Sequence, residues 1–232
     1  MNWRDTYLGD FIALIFPELC QACGENLVRG EKLICTACTY DLPYTNFHQQ
    51  PNNVVARQFW GRIDVAMVYV LLYFTKGGKV QNMMHRFKYK NMPLIGNKLG
   101  SLAGMQLTQR KPAEPIDFIV PVPLHPRKLR LRGYNQSAQF AMGLSTQMNI
   151  PVDTDNLVRI KHTDTQTKKS RFSRYENMKE VFSIRDPEKF AGKHILLVDD
   201  IITTGATLEA CGIELLKIEG VKLSLAAIAY AE

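Results

Sequence analysis

Two acids stand side by side at Asp199-Asp200, behind the apolar run His194-Ile-Leu-Leu-Val198 and ahead of Thr203-Thr204-Gly205-Ala206-Thr207. The run reads as a buried strand, and the carboxyl edge of such strands is where open α/β sheets bind ligands. A tight turn with a glycine then opens a helix, whose first backbone N–H groups and dipole favour an anion. Three threonine hydroxyls add donors. Two carboxylates would repel a bare phosphate, but they suit sugar hydroxyls, toward which they only accept hydrogen bonds. The ligand implied is a sugar 5-phosphate with free 2- and 3-hydroxyls. The bland alternative is a strand–turn–helix in which a threonine caps the helix and an aspartate fills a turn. The string has neither the Gly-Lys-Ser/Thr ending of a Walker A loop nor a G-x-G-x-x-G fingerprint.

A second constellation lies near the start of the chain. Cys20-x2-Cys23-x11-Cys35-x2-Cys38 has the spacing of a structural four-cysteine zinc site, each C-x-x-C aiming two thiolates at one tetrahedral ion. Gly24 suits the first turn, and a hairpin is expected between the pairs. Nothing is left open for a substrate, so the zinc would be structural, supplying folding energy to a segment with little core of its own. Two disulfides or a redox C-x-x-C are the alternatives. Cys211 falls on the inward face of a helix and reads as core.

The elements that must position these residues follow from periodicity. A short helix is expected over residues 1–18, and the apolar Phe11–Phe16 stretch is too short for a membrane span and lacks a cleavage site. Residues 46–61 are polar and read as a linker. Ile63–Phe74 reads as one or two strands. A helix follows with Val80, Met83, Met84 and Phe87 inward and Lys79, Arg86, Lys88 and Lys90 on its other face. Further helices are expected over 94–108, 134–148 and 207–218, the last closed by Gly220, with short buried strands at 117–122 and 221–229. His125–Gly133 reads as a basic loop. Strands alternating with helices predict an α/β fold with a mostly parallel sheet flanked by helices.

The string from His194 to Thr207 resembles the phosphoribosyl pyrophosphate (PRPP) signature of type I phosphoribosyltransferases. That resemblance implies PRPP contacts from Asp199, Asp200, Ile201, Thr203, Thr204, Gly205, Ala206 and Thr207. It also implies a pyrophosphate loop at Val122, Pro123, Leu124 and Arg127, and Mg2+ bound with the PRPP. A water-excluding cover is needed for such chemistry. The basic segment Lys161–Lys179 is the candidate, with Lys168, Lys169, Arg171 and Arg174.

A four-cysteine module ahead of such a domain resembles the ComF family of competence-associated proteins. Phe16-Pro17-x-x-Cys20-x-x-Cys23-Gly24, Pro121-Val-Pro-Leu with Arg132-Gly133-Tyr134-Asn135-Gln136, and Arg159…Thr163-x-x-Gln166…Arg174-x-x-Asn177…Phe182 all agree with it, Tyr134 standing where Phe is usual. The fold implied is the type I phosphoribosyltransferase fold with a small N-terminal zinc-ribbon-like module. Residues 1–58 would form the helix and zinc module, and 59–232 the transferase-like domain.

The family implies a role in DNA uptake during natural transformation beside a helicase-like partner. Two functions are expected from this. One is a binding protein for PRPP or a related sugar phosphate that engages single-stranded DNA, with a net charge of +7 and basic loops to meet phosphates. The other is an active transferase moving ribose 5-phosphate from PRPP to a nitrogenous base, for which no residue marks a catalytic group or base pocket. No amidohydrolase nucleophile is present to support glutamine-dependent chemistry. With no secretion signal, free thiols in a reducing cytoplasm are expected.

Overall fold

The computed structural model describes residues 17–109, 115–160 and 181–231 of the 232-residue chain. The expected first helix and the segment proposed as a cover lie outside these residues.

In chain order the elements are α1 (Thr36–Tyr40), α2 (Val54–Gln58), β1 (Met67–Tyr73), α3 (Lys79–Tyr89), α4 (Leu94–Gln109), β2 (Phe118–Pro121), α5 (Pro126–Arg132), α6 (Gln136–Met148), β3 (Leu157–Ile160), β4 (Val181–Ile184), β5 (His194–Ile202), α7 (Ala206–Leu215) and β6 (Lys222–Tyr230). Four strands form a parallel sheet in the order β1-β6-β5-β2. Beyond β2, a parallel bridge between Ile119 and Val152 extends it. β3 and β4 form a separate antiparallel ribbon.

The central strands are apolar throughout because both faces of the sheet are covered. Tyr69, Leu71, Leu196, Val198, Ala226 and Ile228 pack under α3, α4 and α6. Their neighbours Val68, Val70, Ile195, Leu197, Leu225 and Ala227 pack on the opposite side with α7 and α2. This is the α/β sheet with flanking helices that the alternation of elements predicts.

On the first face α4 and α6 cross at close range. A Cβ at Gly100 would lie 2.2 Å from the Phe140 carbonyl oxygen, and one at Gly143 would lie 2.2 Å from that of Asn97. Only glycine lets the two backbones meet there. Among the described residues, no helix is long and apolar enough to cross a membrane.

Several expectations are corrected. Residues 46–61 are not a linker: Phe47, Val55, Ala56 and Phe59 are buried in the core of the α7 face. Asn53 organises the segment, its amide donating to the Val68 and Gln50 carbonyls while its Oδ1 accepts from the Val55 and Ala56 N–H groups. A polar residue there is a cap and a strand clamp rather than a solvated spacer.

The basic loop at 125–133 is the helix α5, with Pro126 at its first position and Gly133 at φ 79° closing it. None of its residues is buried, so no inward periodicity marks it. The strand expected over 63–74 is confined to β1, because Ile63 packs instead against Gly212 of α7. Between the cysteine pairs the expected hairpin is reduced to the isolated bridge Lys32–Ile34, while the bridge Leu19–Asn26 spans the first pair.

Candidate ligand site and metal centre

β5 ends at the carboxyl edge of the sheet and carries Asp199 and Asp200 there. Gly205 follows with φ 72°, and an added Cβ would fall 2.6 Å from the Phe59 ring, so two independent constraints demand glycine. α7 begins at the next residue with no side-chain cap. The Ala206 N–H is met by the Thr204 hydroxyl at 3.5 Å, and the helix N-terminus beyond it favours an anion. Asp199, Ile201, Ile202 and Thr203 to Leu208 line an open cleft. Asp199 and the threonine loop share this cleft, and Asp200 stands beside them at the end of β5.

The acids are held by residues that the sequence reading passed over. Ser137, in the first turn of α6, donates its hydroxyl to Asp199 Oδ1 at 2.9 Å. The Asp200 N–H donates to the same oxygen at 2.8 Å. Lys88 of α3 pairs with Asp200 Oδ2 at 2.9 Å, both side chains mostly withdrawn from solvent. Lys88 was expected on the outer face of its helix, yet it is drawn onto Asp200 at the end of β5. Burial, and then the charge of Asp200, pushes the Asp199 carboxyl up to about 7; the Asp200 N–H, Ser137 and Lys88 oppose that shift.

Arg62 braces the threonine loop from outside. It donates to the Thr204 carbonyl at 3.0 Å and pairs with Glu209 in the first turn of α7. The pair offsets an acidic charge that would otherwise face an incoming anion.

The expected second loop lies at the same edge. The Val122 N–H donates to the Val198 carbonyl at 2.9 Å, carrying the β2–β5 pairing one residue further. Asn135 ties this loop to α6. Its Nδ2 donates to the Val122 carbonyl at 3.0 Å, and its Oδ1 accepts from the Ser137 N–H at 3.0 Å. The Arg132-Gly-Tyr-Asn-Gln string therefore joins the β2 loop to the serine that holds Asp199. Pro123 and Leu124 are half-buried, whereas Arg127 is exposed on the first turn of α5.

Lys168, Lys169, Arg171 and Arg174 lie outside the described residues. Their flanks are described: Ile160 pairs with Val181, and β4 packs against α7.

Cys20, Cys23, Cys35 and Cys38 converge, their Sγ atoms all within 4.8 Å of one another. Four thiolates about 2.3 Å from a tetrahedral zinc stand about 3.8 Å apart, and Cys23 and Cys35 are 3.9 Å apart. The set fits one ion with no coordination position left over. Convergence on one point is not the arrangement of two separate disulfides. Burial works against ionisation of Cys20, yet backbone N–H groups of Cys23, Cys35 and Ala22 bring its thiol down to about 6. Burial and the neighbouring thiols push Cys38 up. A divalent cation would relieve that conflict by drawing off the protons. Cys211 is buried core, as expected.

The cluster is docked on α3. Asn82 donates to the Ala22 carbonyl at 3.2 Å, Arg86 to Gln21 Oε1 at 2.6 Å, and Lys79 pairs with Asp41 at 2.5 Å.

Residues 135–231 match the phosphoribosyl transferase domain. Competence protein F of Haemophilus influenzae is 28% identical over 212 residues, 89% of this chain and 88% of that protein. The DNA utilization protein YhgH of Escherichia coli K12 is 27% identical over 201 residues, 85% of this chain and 83% of that protein. Among solved structures, adenine phosphoribosyltransferase of Saccharomyces cerevisiae overlaps 61% of this chain and 72% of that chain, at 19% identity and a TM-score of 0.40. The resemblance read from the motifs is borne out by homologues over most of the chain.

Proposed function

We propose that this chain, a homologue of competence protein F and of the YhgH DNA utilization proteins with a phosphoribosyl transferase domain, binds PRPP or a closely related sugar phosphate in support of DNA uptake. The observation that carries this is the placement of the Asp199-Asp200 pair and the glycine-capped α7 N-terminus together at the carboxyl edge of a parallel sheet. The 5-phosphate would sit on Thr203 to Thr207, where backbone and hydroxyl donors converge. The ribose hydroxyls would donate to the free oxygens of Asp199 and Asp200. Val122 to Leu124 and Arg127 would face the pyrophosphate, and Mg2+ would come with it, screening its charge. Lys168 to Arg174 would cover the bound ligand.

The cysteine centre would hold structural zinc. On this reading residues 1–58 serve the metal and 59–232 the ligand, although Phe47, Val55 and Ala56 belong to the core of the sheet. Single-stranded DNA and a helicase-like uptake protein would be the partners, in the cytoplasm. Charge favours the nucleic acid: between Val65 and Val152 the acids are Glu114 and Asp117 alone, against twelve lysines and arginines.

The second reading is an active transferase, favoured by the intact acid pair. Pyrophosphate release from PRPP and Mg2+, run against a panel of bases and separately against single-stranded DNA, separates the two. The binding role predicts PRPP binding and DNA retention with no base-dependent release. Release that requires one base, and that is lost in Asp199→Asn/Asp200→Asn, would establish the transferase instead.

A further inference from the structure

Lys88 sits where a structural lysine would not be expected. Most surface ion pairs are exposed and contribute little. This one has side chains only 19% and 15% accessible, and it is set on the acid pair of the ligand site. Withdrawing a lysine and a carboxylate from water is costly unless their remaining hydrogen-bonding capacity is used. An ammonium carries three N–H donors, and the bond to Asp200 Oδ2 uses one.

Its position is fixed by the end of α3. Val80, Met83, Met84 and Phe87 anchor the helix in the core. The Tyr134 hydroxyl donates to the Phe87 carbonyl, and Arg132 lies over the Tyr89 ring at 5.5 Å. α3 and α6 cover one face of the sheet and α7 the other. The threonine loop opening α7 therefore approaches the acids from one face, and Lys88 from the opposite one.

We propose that Lys88 is a ligand-binding residue of this site, its ammonium recognising the anionic group borne on the side of the ribose opposite the 5-phosphate. The inference rests on the sugar-phosphate reading above and extends it. A ribose whose hydroxyls lie on Asp199 and Asp200 and whose 5-phosphate lies at α7 presents its C1 substituent toward the α3 face. Lys88 is bound to Asp200 there, with two donors left for phosphoryl oxygens. The residue thereby selects a 1-pyrophosphorylated ribose over plain ribose 5-phosphate.

The test is a comparison of two ligands. Affinities for PRPP with Mg2+ and for ribose 5-phosphate are measured by titration calorimetry on the full chain and on Lys88→Met, Lys88→Gln and Lys88→Arg. PRPP affinity should fall at least about tenfold in the Met and Gln variants, with ribose 5-phosphate changing less than about threefold. Lys88→Arg should keep most of the preference. The Gln variant, which retains length and polarity, carries the test should Lys88→Met fail to fold. Equal losses for both ligands, or none, would show that Lys88 merely neutralises Asp200, and would overturn the inference alone. A wild-type chain that binds neither ligand would overturn the site reading, and this inference with it.

Discussion

Asp199 is asked to be ready for a ligand before the ligand arrives. Its carboxyl is raised to about 7 by burial and by Asp200, whereas an unfolded aspartate titrates near 4. The folded state therefore holds a proton that the unfolded state releases as pH rises. The resulting destabilisation is absent below about pH 4, grows between about pH 4 and 7, and is full above that. Asp199→Asn should accordingly raise the melting temperature of the ligand-free chain by a few degrees at pH 8 and leave it nearly unchanged at pH 4.5, as thermal denaturation at the two values would read. An equal effect at both would contradict the assignment of the raised group.

Gly205 is constrained from two sides. Gly205→Ala forces a left-handed conformation on a residue with a Cβ and drives that Cβ into Phe59. It should cost about 1–2 kcal/mol of stability and more than tenfold in PRPP affinity. The glycine and the acids were legible because their chemistry is local. Ser137 and Lys88 were not, since nothing in Asn135-Gln-Ser or Phe87-Lys-Tyr says which strand end they meet. The one signal for Ser137 was an Asn at a helix N-cap position, which marks the start of α6 but not what its first turn touches.

At the scale of elements, α3 links the two chemical centres. Its first two turns hold the cysteine module through Asn82, Arg86 and Lys79, and its last residues carry Lys88 to Asp200. Zinc should be bound at one equivalent per chain and lost in Cys20→Ser. With it should go protection of α3 amides in hydrogen exchange, while amides of β5 and β6 stay slow. Unaltered exchange along α3 in the metal-free variant would show that the module is a passenger.

The crossing of α4 and α6 gives a second check. Gly143→Ala places a Cβ against the backbone of α4. It should cost about 3 kcal/mol or more, a fall of roughly 6–12 °C in melting temperature for a chain of this size.

Helix existence was legible wherever an apolar stripe recurs, as in α3 and α4. α5 has no buried residue, so it reads as a loop, although Pro126 and Gly133 bound it. Residues 46–61 were misread for a related reason: polarity marks a linker only when the polar groups face water, and Asn53 spends its amide on the Val68 and Gln50 carbonyls instead.

Across the whole molecule the cations are unevenly placed. The helices on the cysteine-module side of the sheet are drawn from the acid-poor stretch between Val65 and Val152. α5 presents Arg127, Lys128 and Arg130 to solvent beside the Arg132–Tyr89 stack. If single-stranded DNA is the partner, this face should meet it. Replacing those three residues with alanine should weaken binding and reduce the slope of log affinity against log salt by about 2. An unchanged slope would move the contact elsewhere. The parallel sheet and its flanking helices were legible from the alternation of apolar runs and periodic segments. Which face each helix covers was not, because that depends on contacts far apart in the chain.

The central claim is that the acid pair and threonine loop bind PRPP. Calorimetric titration of PRPP with Mg2+ into the full chain, alongside Asp199→Asn/Asp200→Asn, tests it most directly. The account predicts saturable one-site binding to the wild type and none to the folded double variant. Equal binding to both, or none to the wild type, would contradict it.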